Sequence, residues 1–449
     1  MPVNLTKGSV FRTIIVFSLP YFLSYFLQTL YGMADLFITG QFNQADVITA
    51  VANGSQIMHM ITVVIVGLSM GTTVLISRAT GSGNTKEAAG ATGNSALLFL
   101  IFSLCSSVIL IFACPLIIRI MSVPEESVSQ TKTYLMICFA GIPFITAYNI
   151  FASIFRGLGD SKSPMLFSGI ACTVNIALDY LFIGRFGMQA AGAALATILA
   201  QAFSVLISFI TWKKNSSSIK LTLKDFHVRR EIITPLLKIG VPVACQEGFI
   251  QISFLIITII ANRRGLEIAA AVGIVEKIIT FLFLIPSSML STISAIAAQN
   301  MGAGEHLRAR KTLYYGTALS VSAGLVFAVV FQFAAVSTVA LFTDSEEIAR
   351  LGGQYFKAYV TDCVFAAVHF SFSGFFCAYG YSTVSFLHNL ISIILLRIPG
   401  TALASRYFPE NLYPMGLAAP AGSTVSAVIC ITVFILLLKK NKLGKTNAE

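Results

Sequence analysis

The segment FASIFRGLGD at residues 151–160 recurs as FSGFFCAYGY at residues 372–381, with two phenylalanines and one glycine in matching places. Further matches, 221 or 222 positions apart, fall mostly on glycines, an acidic pair and a proline: Gly81 and Gly83 match Gly302 and Gly304, Glu125 and Glu126 match Glu346 and Glu347, Tyr134 matches Tyr355, and Pro20 matches Pro242. The 449-residue chain therefore contains two similar halves. In an apolar chain, such halves are typical of a secondary transporter that alternates access to a central site.

The composition is that of a membrane protein. Hydrophobic residues make up 56% of the chain and charged residues 11%, whereas a soluble domain averages about 25% charged residues. Segments long enough to cross a hydrocarbon core of about 30 Å are predicted, six in each half, at 13–39, 50–77, 92–118, 133–155, 165–184, 189–212, 233–261, 268–297, 312–342, 352–377, 384–405 and 414–438. None alternates like a β-barrel strand. The sequence predicts an all-α polytopic fold of twelve transmembrane helices in two pseudo-symmetric six-helix bundles.

The distribution of basic residues predicts the orientation in the membrane. Twenty Lys and Arg residues fall on the side of the two termini and eight on the other, with Lys277 and Arg397 left inside spans. Because cytoplasmic loops are enriched in Lys and Arg, both termini are predicted to be cytoplasmic. The net charge of +11 is thus a topology signal, and nucleic-acid binding is not expected, since no basic cluster is interleaved with surface aromatics.

The predicted domains are an N-terminal six-helix lobe at 1–212, a cytoplasmic linker at 213–232 and a C-terminal six-helix lobe at 233–449. The stretch 226–237 is predicted to form a short helix that rests on anionic membrane lipid.

Ionisable residues inside the spans indicate where function resides, because a buried charge costs roughly 2.5 kcal/mol or more in a membrane unless it is paired. Seven are candidates, with Lys238 and Lys357 near span ends counted among the flanking basic residues: Asp35, Asp179, Glu247, Glu276, Lys277, Asp362 and Arg397. The spans of the first half contain two acids and neither Lys nor Arg. Its carboxylates must therefore be protonated or hold a cation, as ion coupling requires.

An oxygen-rich cluster is predicted in the first half. Asp179 lies one turn after Asn175, so both side chains project from one helix face. Asp35 lies late in the first span, Asp179 late in the fifth, and Thr197 at a comparable depth in the sixth. Two carboxylates, an amide and a hydroxyl form the ligand set that hard cations prefer. The alternatives are a helix-end role for Asp35 and a backbone hydrogen bond for Asn175.

The second half carries a less defined polar set. A buried ion pair of Glu276 with Lys277 or Arg397 is expected, which leaves Glu247 or Asp362 to bind a cationic substrate or a proton. Further polar contacts are expected from the neighbouring amides Gln246 and Gln251. The remaining polar candidates inside spans are three histidines expected to be isolated from one another: His59, His369 and His388.

Four features of the chain point to a known family: two equal halves, a proline early in the first and seventh helices, RGLGDSKSP at 156–164 and NIALDYLFIG at 175–184. In these features the chain resembles the multidrug and toxic compound extrusion (MATE) family, and within it the prokaryotic DinF-like branch. The resemblance implies a site for Na⁺ or H⁺, with no other cofactor, at Asp35, Asn175, Asp179 and Thr197, with Tyr134 nearby. Glu247 and Asp362 lie on helices that carry functional acids in the NorM-like branch, but each falls about one turn early.

The mechanism that the resemblance implies is antiport by alternating access, with no enzymatic step. The first helix would bend at Pro20, where proline removes a backbone hydrogen bond, and Pro242 is the matching position in the second half. A monomer in the bacterial inner (plasma) membrane would export small amphipathic cations.

Three other functions would each require different features in the sequence. A flippase for a lipid-linked precursor would carry more cations facing a central cavity than Lys277 and Arg397. A major-facilitator transporter would carry a basic loop after the second helix, where SRATGSGN stands at 77–84. A scaffold or receptor would have no need of unpaired carboxylates within the membrane.

Overall fold

The computed structural model describes residues 4–215 and 221–444. Within these ranges the chain forms helices and no β-strand. The α-helices are α1 Val10–Phe42, α2 Ala45–Gly81, α3 Thr85–Ile120, α4 Glu125–Ala140, α5 Ile142–Gly157, α6 Lys162–Asp179, α7 Gln189–Asn215, α8 Arg230–Asn262, α9 Leu266–Leu282, α10 Leu284–Gly302, α11 His306–Ala340, α12 Glu346–Tyr359, α13 Asp362–Tyr379, α14 Ser382–Ser392, α15 Ile398–Tyr407, α16 Tyr413–Gly416 and α17 Ala418–Lys439. Two π-helical turns, Tyr180–Arg185 and Ile393–Arg397, follow α6 and α14, and a 3₁₀ turn covers Leu223–Phe226.

The predicted spans agree with the helices. In the described residues, eleven stretches are long and apolar enough to cross a membrane, and α4 with α5, bent by 48° at their junction, makes a twelfth. The all-helical prediction is therefore confirmed. The matching acidic pairs also open matching helices, since α4 begins at Glu125 and α12 at Glu346. Pro20 lies inside α1 and Pro242 inside α8, and neither ends its helix.

The chain divides into two compact units, and the division does not follow sequence order at the start of the chain. The first unit contains Leu19–Leu237, and the second contains Leu5–Ser18 together with Lys238–Glu449. Within the second unit, Leu5 is buried and its backbone N–H donates to Gln299 Oε1 at 3.0 Å. The predicted lobe boundaries at 212 and 233 stay a prediction.

The described part of the linker packs on α3. Asn94 donates from Nδ2 to the carbonyl of Asp225 at 3.2 Å and accepts at Oδ1 from the backbone of Arg229 at 2.8 Å. This close approach needs Gly93, because a Cβ there would lie 2.4 Å from the Asp225 carbonyl oxygen. Residues 230–237 belong to α8, so the predicted separate interfacial helix at 226–237 is wrong. Residues 216–220 of the predicted linker lie outside the described residues.

Candidate cation site

Helices α1, α6 and α7 bring the four predicted oxygen-bearing residues together in the first unit. Thr197 Oγ1 on α7 donates to Asp35 Oδ2 on α1 at 3.0 Å. Asn175 Nδ2 on α6 lies 3.5 Å from the same Thr197 hydroxyl. The carboxyl group of Asp179 lies beside that of Asp35, close enough for a hydrogen bond between them once one is protonated.

The local backbone explains how these groups face each other. Asn175 and Asp179 lie one turn apart in the last part of α6, and the chain then widens into the π-helical turns of Tyr180–Arg185. Such turns within helices are often found at functional sites. Asp35 is held in α1 by a hydrogen bond from Thr39 Oγ1 to its carbonyl oxygen at 2.6 Å.

The cluster is buried, and four of its oxygens accept no hydrogen bond from the described residues. Asp35, Asn175 and Asp179 are 3%, 1% and 0% exposed. Among the described residues, no donor reaches Asp35 Oδ1, Asn175 Oδ1 or either carboxyl oxygen of Asp179. In the same ranges the side chains form ion pairs only between Arg229 and Asp225 and between Arg350 and Glu347. Because unpaired buried carboxylates are strongly destabilising, this arrangement fits a proton or a small cation.

Tyr134 lies near the cluster without bonding to it directly. Its hydroxyl is 3.0 Å from Ser55 Oγ on α2, and Asp35 lies close enough to act on it electrostatically. The tyrosine ring packs on Gly54, where a Cβ would lie 2.3 Å from Tyr134 Cδ1 and 2.7 Å from Cε1. Tyr134 is therefore positioned by α2, within electrostatic reach of Asp35.

The second unit holds a different polar set, centred on Arg397. The guanidinium donates to the Tyr359 hydroxyl and lies 4.6 Å from the centroid of the Phe254 ring. Glu276 accepts instead from Thr258 Oγ1 at 3.1 Å. No acid in the described chain lies within 4.0 Å of Arg397, and Lys277 is exposed. The predicted ion pair of Glu276 with either base is therefore wrong.

The other candidates of the second unit remain separate side chains. Asp362 begins α13, is 1% exposed and has no hydrogen-bond partner on either oxygen among the described residues. Arg397 acts on both Asp362 and Glu276 only at longer range, through electrostatics. Gln246 is buried, and its amide has no partner in the described ranges, while its neighbour Glu247 and the next candidate, Gln251, are half-buried.

Two of the histidines are not isolated. The rings of His369 on α13 and His388 on α14 pack edge to face with centroids 5.4 Å apart, and His388 Nε2 lies 3.0 Å from Ser373 Oγ. The prediction of isolated histidines is wrong for this pair, because antiparallel packing of two helices joins residues that are distant in sequence.

The comparisons with known proteins agree with this architecture. The sequence pattern of the MatE family matches residues 20–181 and 242–403, which together are more than half of the chain. The chain belongs to the MatE family. The predicted resemblance to the MATE family is confirmed, and the two matched segments, offset by 222 positions, correspond to the repeat found in the sequence. Members of this family are membrane transporters and not enzymes.

Individual relatives cover nearly the whole chain. A Bacillus subtilis protein named "Probable multidrug resistance protein YpnP" is 29% identical over 92% of this chain and 93% of its own length. A Pyrococcus furiosus transporter of the MOP superfamily has a TM-score of 0.92 at 21% identity, over 99% of this chain and 98% of that one. The structure described as "Crystal structure of MATE in the bent conformation" has a TM-score of 0.90 at 22% identity, over 98% of each chain. These two structures share the fold of this chain.

Proposed function

We propose that this transporter is a multidrug antiporter that exports small amphipathic cations and is driven by Na⁺ or H⁺ entering at Asp35, Asn175, Asp179 and Thr197. The observation that carries the proposal is the set of buried oxygens in this cluster that lack donors. The name of the Bacillus subtilis relative supports the substrate class. The membrane is the bacterial plasma membrane, with both termini in the cytoplasm, and the working unit is a monomer.

The chemistry of the cluster explains why transport would depend on the ion. Asp35 and Asp179 are buried side by side and cannot both stay ionised there without a compensating positive charge. Either a proton between the two carboxyl groups or a sodium ion among the oxygens supplies that charge. Both choices fit the residues present, since oxygen donors suit hard cations and a carboxyl pair can share a proton.

Coupling requires that the ion favour one conformation of the transporter over the other. Asp35 lies on α1, while Asp179 and Thr197 lie on α6 and α7. Neutralising the cluster therefore changes how α1 packs on its two neighbours. Pro20 gives α1 a place to bend, since its nitrogen donates no hydrogen bond within the helix. Repacking of α1 then weakens substrate binding and favours release outside.

The second unit is assigned a supporting role in this proposal. Asp362 and Glu247 are the candidates there for a substrate cation or a second proton, with Gln246, Gln251 and Glu276 as polar neighbours. The alternative function, a flippase for a lipid-linked precursor, predicts several cations at a central site. Lys277 is exposed, and the buried cations of the described chain are Arg397 in the second unit and Arg156 in the first, fewer than a cationic central site would need, which favours the antiporter.

Transport of a fluorescent organic cation in proteoliposomes tests the proposal. A sodium gradient and a proton gradient are imposed separately on the wild type, Asp35→Asn and Asp179→Asn, with the exposed Asp344→Asn as matched control. Gradient-driven transport in the wild type and Asp344→Asn, lost in the other two variants, is the expected result and identifies the ion. Transport that neither gradient drives in folded protein would refute ion coupling and favour the flippase.

A further inference from the structure

Arg156, which directly follows the predicted span at 133–155, is buried. It lies in the last turn of α5 and is 6% exposed. Within the described ranges no carboxylate lies within 4.0 Å of its guanidinium, and its Nε atom has no hydrogen-bond partner. A buried cation without an acid is costly, so its surroundings must compensate in another way.

Two tyrosines of α1 provide that compensation. The guanidinium carbon of Arg156 lies 4.2 Å from the centroid of the Tyr21 ring and 5.8 Å from that of Tyr25. Both distances are within the range of a cation–π interaction, which is strongest where water is excluded. Tyr21 is only 2% exposed. Arg156 therefore joins the end of α5 to the face of α1.

The position of this contact on α1 is informative. Tyr21 directly follows Pro20, the residue at which α1 lacks one backbone hydrogen bond. Steps of four, three, three and four residues lead from Tyr21 to Asp35, and these spacings place the intervening side chains on a single face of the helix. The stripe consists of Tyr21, Tyr25, Gln28, Tyr31 and Asp35. A bend or rotation of α1 at Pro20 therefore changes the cation site and the Arg156 contact together.

Other side chains of the first unit also contact this stripe. Gln201 Nε2 on α7 lies 3.4 Å from the Tyr31 hydroxyl. Tyr148 on α5 bonds to Ser168 Oγ at 2.5 Å and interacts with Gln28 and Arg156. The inner face of α1 is thus held by α5 and α7 between Arg156 and Asp35.

We propose that Arg156 is a positioning residue for α1: its guanidinium holds Tyr21 and Tyr25 next to Pro20 and so couples the packing of α1 to the state of the cation site. The inference rests on the proposed function for its role in transport. The contact itself is independent of which ion is used. Arg156 is not itself an ion or substrate ligand.

The chain carries a built-in reporter for this region. Trp212 is the only tryptophan in the sequence. Its ring packs edge to face on Phe155, with centroids 5.9 Å apart, and Phe155 directly precedes Arg156 in α5. A change in the packing of Arg156 is therefore expected to alter the fluorescence emission of Trp212.

The experiment combines hydrogen exchange with fluorescence on the full-length protein in detergent. The variants are Arg156→Met and Tyr21→Leu, which remove the cation or the ring, Tyr21→Phe, which keeps the ring face, and Phe22→Leu, a matched loss of a neighbouring aromatic ring. Amide exchange in α1 around Pro20 is expected to be about 5- to 30-fold faster in the first two variants. Tyr21→Phe and Phe22→Leu should exchange at the wild-type rate.

The second readout separates this inference from the proposed function. Titration with Na⁺, and separately with acid, is followed by Trp212 emission and by the midpoint of thermal unfolding, with Asp35→Asn as the variant that lacks the site. The ion should raise the unfolding midpoint in all four variants that keep the site: Arg156→Met, Tyr21→Leu, Tyr21→Phe and Phe22→Leu. It should change the emission only in the wild type, Tyr21→Phe and Phe22→Leu.

The outcomes distinguish the two claims. An ion-dependent midpoint in the wild type with unchanged Trp212 emission would overturn the coupling role of Arg156. Equal exchange rates in Tyr21→Leu and Phe22→Leu would overturn the contact as the restraint on α1. A wild-type midpoint that responds to neither ion would refute the proposed cation site, and the exchange rates would then still decide whether Arg156 holds α1.

Discussion

Gly141, at the junction of α4 and α5, gives a prediction that depends only on packing. A Cβ at this position would lie 2.2 Å from Ile198 Cδ1 and 2.5 Å from its Cγ1 atom on α7. Ordinary carbon contacts require about 3.5–4.0 Å, so in Gly141→Ala either the Ile198 side chain or α7, which carries it, must shift by more than about 1 Å. Ile198 adjoins Thr197, and a shift of α7 therefore reaches the hydroxyl that donates to Asp35.

The expected cost follows from known overpacking energies. Gly141→Ala should destabilise the protein by about 1–3 kcal/mol, and Ile198→Ala alone by about 2–4 kcal/mol, because it leaves a cavity at a residue that is 8% exposed. The destabilisation of the double variant should be smaller than the sum of the two single effects by roughly 1 kcal/mol or more, because the smaller residue 198 makes room for the new methyl group. Gly273→Ala is the matched control, since no atom lies within 4 Å of a Cβ there.

The assay is the midpoint of thermal unfolding in detergent for the wild type, both single variants, the double variant and the control. Gly273→Ala is expected to unfold at or slightly above the wild-type midpoint, because alanine is a better helix former than glycine. Additive effects of the changes at 141 and 198 would refute the argument. A cost in Gly273→Ala equal to that in Gly141→Ala would also refute it.

Three further predictions concern the site and the linker. Thr197→Val removes the donor to Asp35 and should slow ion-driven transport by about tenfold or more at low ion concentration, a difference of roughly 1.5 kcal/mol, whereas Thr197→Ser should stay within about threefold of the wild type. Gly54→Ala should displace the Tyr134 ring and lower the unfolding midpoint, and Tyr134→Ala in the same chain should recover part of the loss. The hydrogen bonds from the Thr222 backbone and hydroxyl lower the pKa of Asp225, so the stability it adds to the linker turn is present above its unfolded pKa of about 3.9 and is lost as pH falls through the lower folded value. Limited proteolysis of the linker should therefore accelerate only below about pH 4 in the wild type and at every pH in Asp225→Ala.

Much of the fold follows from patterns in the sequence that have a physical cause. Long apolar segments must be helical in lipid, because backbone groups there have no water to bond. The i, i+4 spacing of Asn175 and Asp179 places both on one face, and the antiparallel order of short-looped spans brings Asp35 and Thr197 to the same depth. Those two rules are enough to predict which oxygens the structure collects in the first unit.

The partners of buried cations could not be predicted in the same way. A membrane helix can be apolar both where it faces lipid and where it packs on protein, so its sequence does not fix its rotation. Lys277 follows Glu276 directly and is nevertheless exposed, because successive helical residues point about 100° apart. Arg397 bonds to Tyr359, and Arg156 stacks on Tyr21. Both contacts depend on how the four helical segments that carry these residues are rotated about their axes.

The repeat itself explains why only one unit would take the coupling ion. Asn175 of the first unit falls on Arg397 of the second at the 222-residue offset of the family matches, and on the adjacent Leu396 at the 221-residue offset of Gly159 and Gly380. The same place in the repeat thus holds a neutral amide beside Asp35 and Asp179 and a fixed cation near Asp362 and Glu276. A fixed guanidinium supplies positive charge permanently, so Asp362 and Glu276 have less need of a coupling ion from solution. In the first unit the buried cation, Arg156, lies against Tyr21 and Tyr25, and no Lys or Arg of the described chain lies within 4.0 Å of Asp35 or Asp179. In the proposed mechanism, the charge that these two carboxylates require therefore arrives and leaves with each transport cycle.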